Sequence, residues 1–253
     1  MRAPIVTALL TLFVAQGACG QATPGEVSAT ADSCAAEDWP ALNRYREENA
    51  RLAPPGARES RVVFLGDSIT EAWAHIPELF FPGKPYIGRG ISGQTTPQML
   101  LRFQQDVVAL RPRAVVINGG TNDIAGNTGV ATLAMIEDNL RSMTRLAAAN
   151  DIRVVLASVT PTADYPWRPG LEPAEKIVAL NAWMRSWCQH QGCVYADYFN
   201  ALSDGQHAMK AGLSGDGVHP NEIGYALMQP IAAAAIRRAL APSPAATPRN
   251  TPQ

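Results

Sequence analysis

The 253-residue sequence lacks the features that mark several classes of protein. It has four cysteines, Cys19, Cys34, Cys188 and Cys193, with no C-x-x-C pair and no histidine-rich cluster, so no zinc site is expected. Lys and Arg total 21 against 22 Asp and Glu, and the near balance lacks the basic excess of a nucleic-acid binder. No stretch after the N-terminus approaches the roughly 18 apolar residues of a membrane span, so no transmembrane helix is expected. There is no internal repeat. Charged residues make up only 17% against 47% apolar, which excludes a disordered chain. Twenty Gly and twenty Pro are spread along the chain and mark turns rather than a linker.

The two ends read as lying outside the fold. Residues 1–20 have the pattern of an export signal: Arg2, an apolar run from Ala3 to Ala15, then the small residues Gly17, Ala18, Cys19 and Gly20. Export to the periplasm or beyond is therefore expected. Cys19 stands where a bacterial lipoprotein carries its lipidated cysteine, although Gln16 departs from the aliphatic residue usual there. Residues 21–38 read as a tether, 39–240 as the folded domain and 241–253, with four prolines, as a disordered tail. In an exported protein a Cys188–Cys193 bridge is permitted, with free thiols as the alternative.

Between these ends, short β-branched runs alternate with helical patterns. The runs are Arg61–Gly66, Tyr86–Gly88, Ala114–Asn118, Arg153–Val159 and Cys193–Asp197. Apolar residues recur at helical spacing over Thr96–Leu110 and Thr132–Ala149. Further helices are expected over Pro173–His190 and Pro220–Leu240, and an amphipathic segment over Trp39–Leu52. Such alternation predicts a parallel sheet covered by helices on both faces. In that architecture the site lies at the carboxyl ends of the strands.

Four blocks stand at those places: Gly66-Asp67-Ser68-Ile69-Thr70, Gly90-Ile91-Ser92-Gly93-Gln94-Thr95, Gly119-Gly120-Thr121-Asn122-Asp123 and Asp216-Gly217-Val218-His219-Pro220. Each alone is a plausible turn. In order and together, they resemble the blocks of the SGNH hydrolases, the GDSL esterases and lipases, with Ile69 where the name has Leu. The resemblance spans Gly66 to His219. It implies a three-layer α/β/α sandwich with a five-stranded parallel sheet, flavodoxin-like. It also implies Ser68 as nucleophile, Asp216 and His219 completing a triad, Gly93 and Asn122 in the oxyanion hole, and no metal or cofactor.

The residues themselves agree. A serine hydroxyl needs a base, and His219 follows the Asp216 carboxylate by three residues in a Gly-containing loop just before the last helix. Donors for a developing oxyanion are expected from the Ser68 and Gly93 amides and the Asn122 side chain. His75, His190 and His207 read as surface residues. Gly88-Arg-Gly90-Ile-Ser-Gly93 matches a dinucleotide fingerprint, but no acidic residue follows about twenty positions on. A G-x-S-x-G elbow is absent. Asp67 and Asp123 read first as turn residues; Asp67 is kept as a possible substrate contact. The longest irregular stretch, Thr162–Glu172, follows the fourth strand, so Tyr165, Trp167 and Arg168 are expected to wall the substrate pocket, with packing as the alternative. The expected activity is hydrolysis of small or carbohydrate esters with short acyl groups. Lysophospholipid or thioester hydrolysis, or a non-catalytic binding module, are the alternatives.

Overall fold

In the computed structural model, which describes residues 38–242, the five apolar runs are five parallel strands. They are β1 (Val62–Gly66), β2 (Tyr86–Gly90), β3 (Ala114–Asn118), β4 (Arg153–Ala157) and β5 (Val194–Ala196). Their order across the sheet is β2-β1-β3-β4-β5. The helices are α1 (Arg46–Arg51), α2 (Ser68–Ala74), α3 (Thr96–Asp106), α4 (Thr121–Ile124), α5 (Leu133–Ala149), α6 (Ala174–Gln191), α7 (Tyr198–Leu202) and α8 (Glu222–Leu240). The expectations for residues 1–20, for the tether up to residue 37, for Cys19 and Cys34, and for the tail from residue 243 fall outside the described residues.

The strand period of two divides the core into layers. Val63 and Leu65 of β1 and Val115 and Ile117 of β3 face α3, α5 and α6, where Met99, Phe103, Ile136, Leu140, Ile177 and Leu180 meet them. Val62, Phe64 and Val116 point the other way, onto Ile69 and Trp73 of α2 and Tyr225, Met228 and Ala232 of α8. Every residue of β1 and β3 is buried, as unbroken apolar runs require.

Local chemistry sets the helix ends. Thr132 caps α5 through Met135 N and Asn221 caps α8 through Gly224 N. Gly192, at φ +76°, ends α6. A Cys188–Cys193 disulfide joins the last turn of α6 to the residue before β5. Two expected helices are shorter than the sequence pattern. The segment from Trp39 is helical only in α1, because Ala41 sits at φ +56° and Asp38 instead accepts from the Leu42 and Asn43 amides in a turn. The third helical pattern stops at Asp106, and Val108–Leu110 continues as a 3-10 turn. Among the described residues no helix is long and apolar enough to cross a membrane.

β1 is flanked by β2 on one side and β3 on the other. The chain reverses its direction of winding there, and a crevice opens beyond the carboxyl ends of β1 and β3. All four sequence blocks border that crevice or the loop facing it.

Candidate active site

Ser68 is the first residue of α2, two residues beyond the end of β1. Asp67 is its N-cap, with Oδ1 accepting from Ile69 N at 3.0 Å. The cap leaves the Ser68 N–H unspent, and it meets no hydrogen-bond acceptor among the described residues. Ser68 Oγ lies 2.9 Å from His219 Nε2. His219 Nδ1 lies 2.6 Å from Asp216 Oδ2. Ser68 and His219, 151 positions apart in sequence, meet because α8 packs against α2: Tyr225 Oη donates to Ile69 O at 2.9 Å, and the Tyr225 ring stacks on Trp73 at 5.5 Å.

The Asp216 loop holds its carboxylate by backbone. Oδ1 accepts from Val218 N at 2.9 Å and His219 N at 2.8 Å, and from Ser214 Oγ at 3.0 Å. Partial burial alone would raise this carboxyl, but the His219 ring, the two amides and Ser214 together hold it well below the usual carboxylate range. Asp216 is thus ionised and oriented, and its partner Nδ1 carries the proton, which leaves Nε2 free to accept from Ser68.

Gly93 lies on the loop after β2, at φ +77°. A side chain there would be strained, and its N–H finds no partner among the described residues. The loop is pinned on both sides. Glu71 Oε2 accepts from Ser92 N at 2.8 Å and from Ser92 Oγ, while its other oxygen accepts from Arg44. From beneath, the buried Arg102 guanidinium donates to Gln94 Oε1 at 2.6 Å, Arg89 O at 2.8 Å and Gly66 O at 2.9 Å, and pairs with Asp106 at 3.2 Å. One guanidinium therefore ties together the ends of β1 and β2 and the Gly93 loop.

Asn122 sits in α4, the single helical turn after β3, and is buried. Its Nδ2 donates one N–H to Gln94 O at 3.0 Å. Its Oδ1 accepts from Asn127 Nδ2 at 2.9 Å. The second N–H of Asn122 has no partner among the described residues. Asp123 spends both carboxylate oxygens on Thr96, accepting from its amide at 2.9 Å and its hydroxyl at 2.5 Å, and so fastens α4 to the start of α3. Burial raises the Asp123 carboxyl above its usual range.

The remaining expected residues divide. Trp167 is exposed, its ring 6.1 Å from that of His219, and its indole N–H donates to Asn127 Oδ1 at 3.2 Å. Arg168 is exposed beside it and has no ion-pair partner among the described residues. Both border an open cleft of about 520 Å³ next to Gly93, whose other wall is Trp39. Trp39 is held there by Gln98 Nε2, which donates to its carbonyl at 2.7 Å. Tyr165 is fully buried, its hydroxyl engaged with the Thr121 hydroxyl at 2.9 Å and carbonyl at 3.0 Å, so it packs the loop instead of walling the pocket. Asp67 is also buried and faces no substrate surface. Burial pushes its carboxyl up to about 6, with Asp123 adding to the rise and Ile69 N and His219 opposing it. His75 and His190 are exposed, while His207 is half-buried against Phe199. Sequence reasoning missed Trp39, Asn127 and Arg102. The spacing of Gly126 to Asn127 after α4 is the one local signal for any of them.

Comparison with known proteins identifies the family and the fold. Residues 64–227 match the GDSL-like lipase/acylhydrolase family, and the chain belongs to that family. A GDSL-like lipase of Bacteroides thetaiotaomicron is 43% identical, with a TM-score of 0.77 over 80% of this chain and 100% of that one. A candidate acylhydrolase of Bacteroides fragilis is 42% identical, with the same TM-score, over 80% of this chain and 98% of that one. An acetylxylan esterase of Geobacillus stearothermophilus, 19% identical with a TM-score of 0.59 over 73% of this chain and 95% of that one, shares the fold. No curated protein matches the chain. Family membership places the chain among acylhydrolases.

Proposed function

We propose that the protein is an exported serine esterase that cleaves carboxylic esters carrying short acyl groups through an acyl-enzyme on Ser68. The observation that carries this reading is the unbroken line from Ser68 Oγ through His219 Nε2 and Nδ1 to Asp216 Oδ2, at 2.9 and 2.6 Å.

Ser68 Oγ attacks the ester carbonyl carbon as its proton passes to His219 Nε2. Asp216 stabilises the imidazolium that forms and stays ionised itself. The tetrahedral oxyanion accepts from the Ser68 and Gly93 amides and the unspent Asn122 N–H. Collapse breaks the bond to the alcohol, whose oxygen takes the proton from His219. Water then attacks the acyl carbon, giving its proton to His219, and the carboxylic acid leaves as Ser68 Oγ is reprotonated.

The short-acyl preference rests on the shape beside the serine. Trp167 stands over His219, the cleft beyond it is open, and the loop under Trp167 is filled by Tyr165. Trp167 and Arg168 contact the substrate, the ring covering the acyl or sugar face and the guanidinium meeting a polar group of the alcohol. The Cys188–Cys193 bridge suits the oxidising compartment that export implies.

The test is a series of esters from C2 to C16, with acetylated sugar and lysophospholipid included, on wild type and Trp167→Ala. Wild type should be fastest at about C2–C6. Trp167→Ala should shift kcat/KM between substrates by about 1–3 kcal/mol, the scale on which apolar pockets discriminate. Fastest turnover at C12–C16 would overturn the short-acyl reading.

A further inference from the structure

We infer that Asn127 is a positioning residue for the oxyanion site, and that the indole N–H of Trp167 sets Asn127 in turn. The inference rests on the esterase reading above and concerns a residue outside its triad and donors.

The local fold explains why Asn127 is there. After α4 the chain closes with a Gly126 N–H to Asp123 O bond at 2.9 Å and an Asn127 N–H to Asn122 O bond at 3.0 Å. Gly126 supplies the left-handed residue at φ +73°. This pair of bonds is the Schellman closure of a helix, in which the residue after the glycine returns to the first of the last three helical residues. Those two side chains usually make an apolar contact. Here they are Asn127 and Asn122, and the contact is an amide–amide hydrogen bond of 2.9 Å.

An asparagine amide looks almost the same from both sides, so only its partners decide which end faces the substrate. Asn122 has two such partners. Gln94 O takes an N–H, and Asn127 Nδ2 supplies one to Oδ1. Turning the Asn122 amide over would set Oδ1 against the Gln94 carbonyl and two N–H groups against each other. Without Asn127 the first penalty remains, but Oδ1 loses its donor and the amide plane loses one of its two anchors.

Asn127 is determined at three points. Its Nδ2 donates to Asn122 Oδ1 and to Gly93 O at 3.2 Å, and its Oδ1 accepts from Trp167 Nε1 at 3.2 Å. Turning it over would oppose like groups at each of them. Asn127 therefore touches the segments of two oxyanion donors, Asn122 and Gly93, while Trp167 fixes it from the substrate side. Asn127 is exposed and its loop covers no core, so a stability role gives little reason for an amide with three partners.

The experiment is a double-mutant cycle on kcat and KM with a short-chain ester, using Asn122→Ala, Asn127→Ala, the pair, Asn127→Asp and Trp167→Phe. Asn127→Ala should lower kcat by about 10- to 100-fold, below the loss for a direct donor, with KM within about twofold. In the Asn122→Ala background the same change should cost less than about threefold, because its effect travels mainly through Asn122. Asn127→Asp should be slower than Asn127→Ala, since a carboxylate repels Asn122 Oδ1 and Gly93 O. Trp167→Phe keeps the ring, loses the N–H, and should lower kcat by about threefold or more at unchanged KM; it serves as an independent arm if Asn127→Ala melts early. Full kcat in Asn127→Ala, or the same loss with and without Asn122, would overturn the inference while leaving the esterase reading intact. Full kcat in Asn122→Ala would overturn the oxyanion assignment and this inference with it.

Discussion

The two layers flanking the sheet differ in composition and in what they bring to the crevice. The layer built from α2 and α8 is aromatic: Phe64, Trp73, Phe80, Phe81, Tyr86 and Tyr225 form a continuous set of ring contacts. The layer of α3, α5 and α6 is mostly aliphatic, with Met, Leu, Ile and Val filling it. Ser68 and His219 ride on the aromatic layer, at the start of α2 and just before α8. Asn122, Asn127 and Trp167 belong to segments packed on the aliphatic layer, and the Gly93 loop is tied to both layers, through Glu71 of α2 and Arg102 of α3. The proposed proton-transfer pair, with the Ser68 amide, is thus mounted on the aromatic layer, while the Asn122 donor is mounted on the opposite side of the sheet. Rigid, directional ring contacts suit a pair that must hold a 2.9 Å hydrogen bond across 151 residues. The Gly93 and Asn122 segments are instead held by hydrogen bonds donated by Arg102 and Asn127 and accepted by Asp123, and need no aromatic scaffold.

The largest effects should come from the reacting pair. Ser68→Ala and His219→Ala should each lower kcat by about 10⁴-fold or more while the thermal melt stays near wild type. More than a few per cent of wild-type kcat in folded Ser68→Ala would remove the nucleophile from this comparison altogether.

Next comes the scaffold under that pair. Trp73 stacks on Tyr225, meets Phe64 edge-on at 5.9 Å and donates from Nε1 to Leu79 O at 3.1 Å. Trp73→Ala should cost about 3–5 kcal/mol in denaturant unfolding. Because α2 and α8 meet through this ring, the residual folded enzyme should lose kcat as well. Unchanged kcat would mean that the sheet alone aligns Ser68 with His219.

On the opposite layer, Asn122→Ala should lower kcat by about 10²–10³-fold, or roughly 3–4 kcal/mol of transition-state stabilisation, with little change in stability. A change confined to KM would make Asn122 a binding residue and move charge stabilisation elsewhere.

The smallest effect belongs to Asp67, at the end of β1 where the layers meet. Its folded pKa, raised to about 6, lies above its unfolded value near 3.9. The native state therefore keeps a proton that the unfolded chain has lost. This group's contribution is fully present below about pH 4 and is lost as pH rises to about 6. Asp67→Asn retains an acceptor for Ile69 N and has no charge to bury. Its stability relative to wild type should therefore climb by about 2–3 kcal/mol between pH 4 and 6 and stay level above. Parallel urea-unfolding curves across that range would show Asp67 to be hydrated enough to ionise freely.

Much of this was legible in the sequence, for particular reasons. Val62–Gly66 and Ala114–Asn118 are buried on both sides, so no alternation was needed to recognise them. The positions of Ser68 and Asn122 were legible because they follow strands directly, at turns rich in Gly and Asp, and that of His219 because Asp216 precedes it by three residues at the entry to the last helix. Tyr165 follows the packing alternative and not the pocket-wall one, and the sequence leaves the two open because an aromatic residue in a long loop suits either. Its partner Thr121 lies 44 residues away, and no local pattern reveals it. Arg102 reads as an ordinary polar position on α3, yet it is completely buried because three acceptors from outside the helix, with Asp106 of its own helix, converge on it. Asn127 has no local signal beyond the Gly126 before it, because what sets it apart is a side-chain bond to Asn122.

Arg102 also bears on how far this site can drift or be redesigned. Its planar guanidinium reaches Gly66 O, Arg89 O, Gln94 Oε1 and Asp106 at once. A lysine offers three donors from a single nitrogen and cannot span that set. The surface around the cleft, with Trp39, Trp167 and Arg168, is open to replacement by residues suited to other esters. The position beneath it admits almost no exchange. A library aimed at new substrates should therefore vary the rim and leave Arg102 untouched, since a change there would loosen two strand ends and the oxyanion loop in a single step.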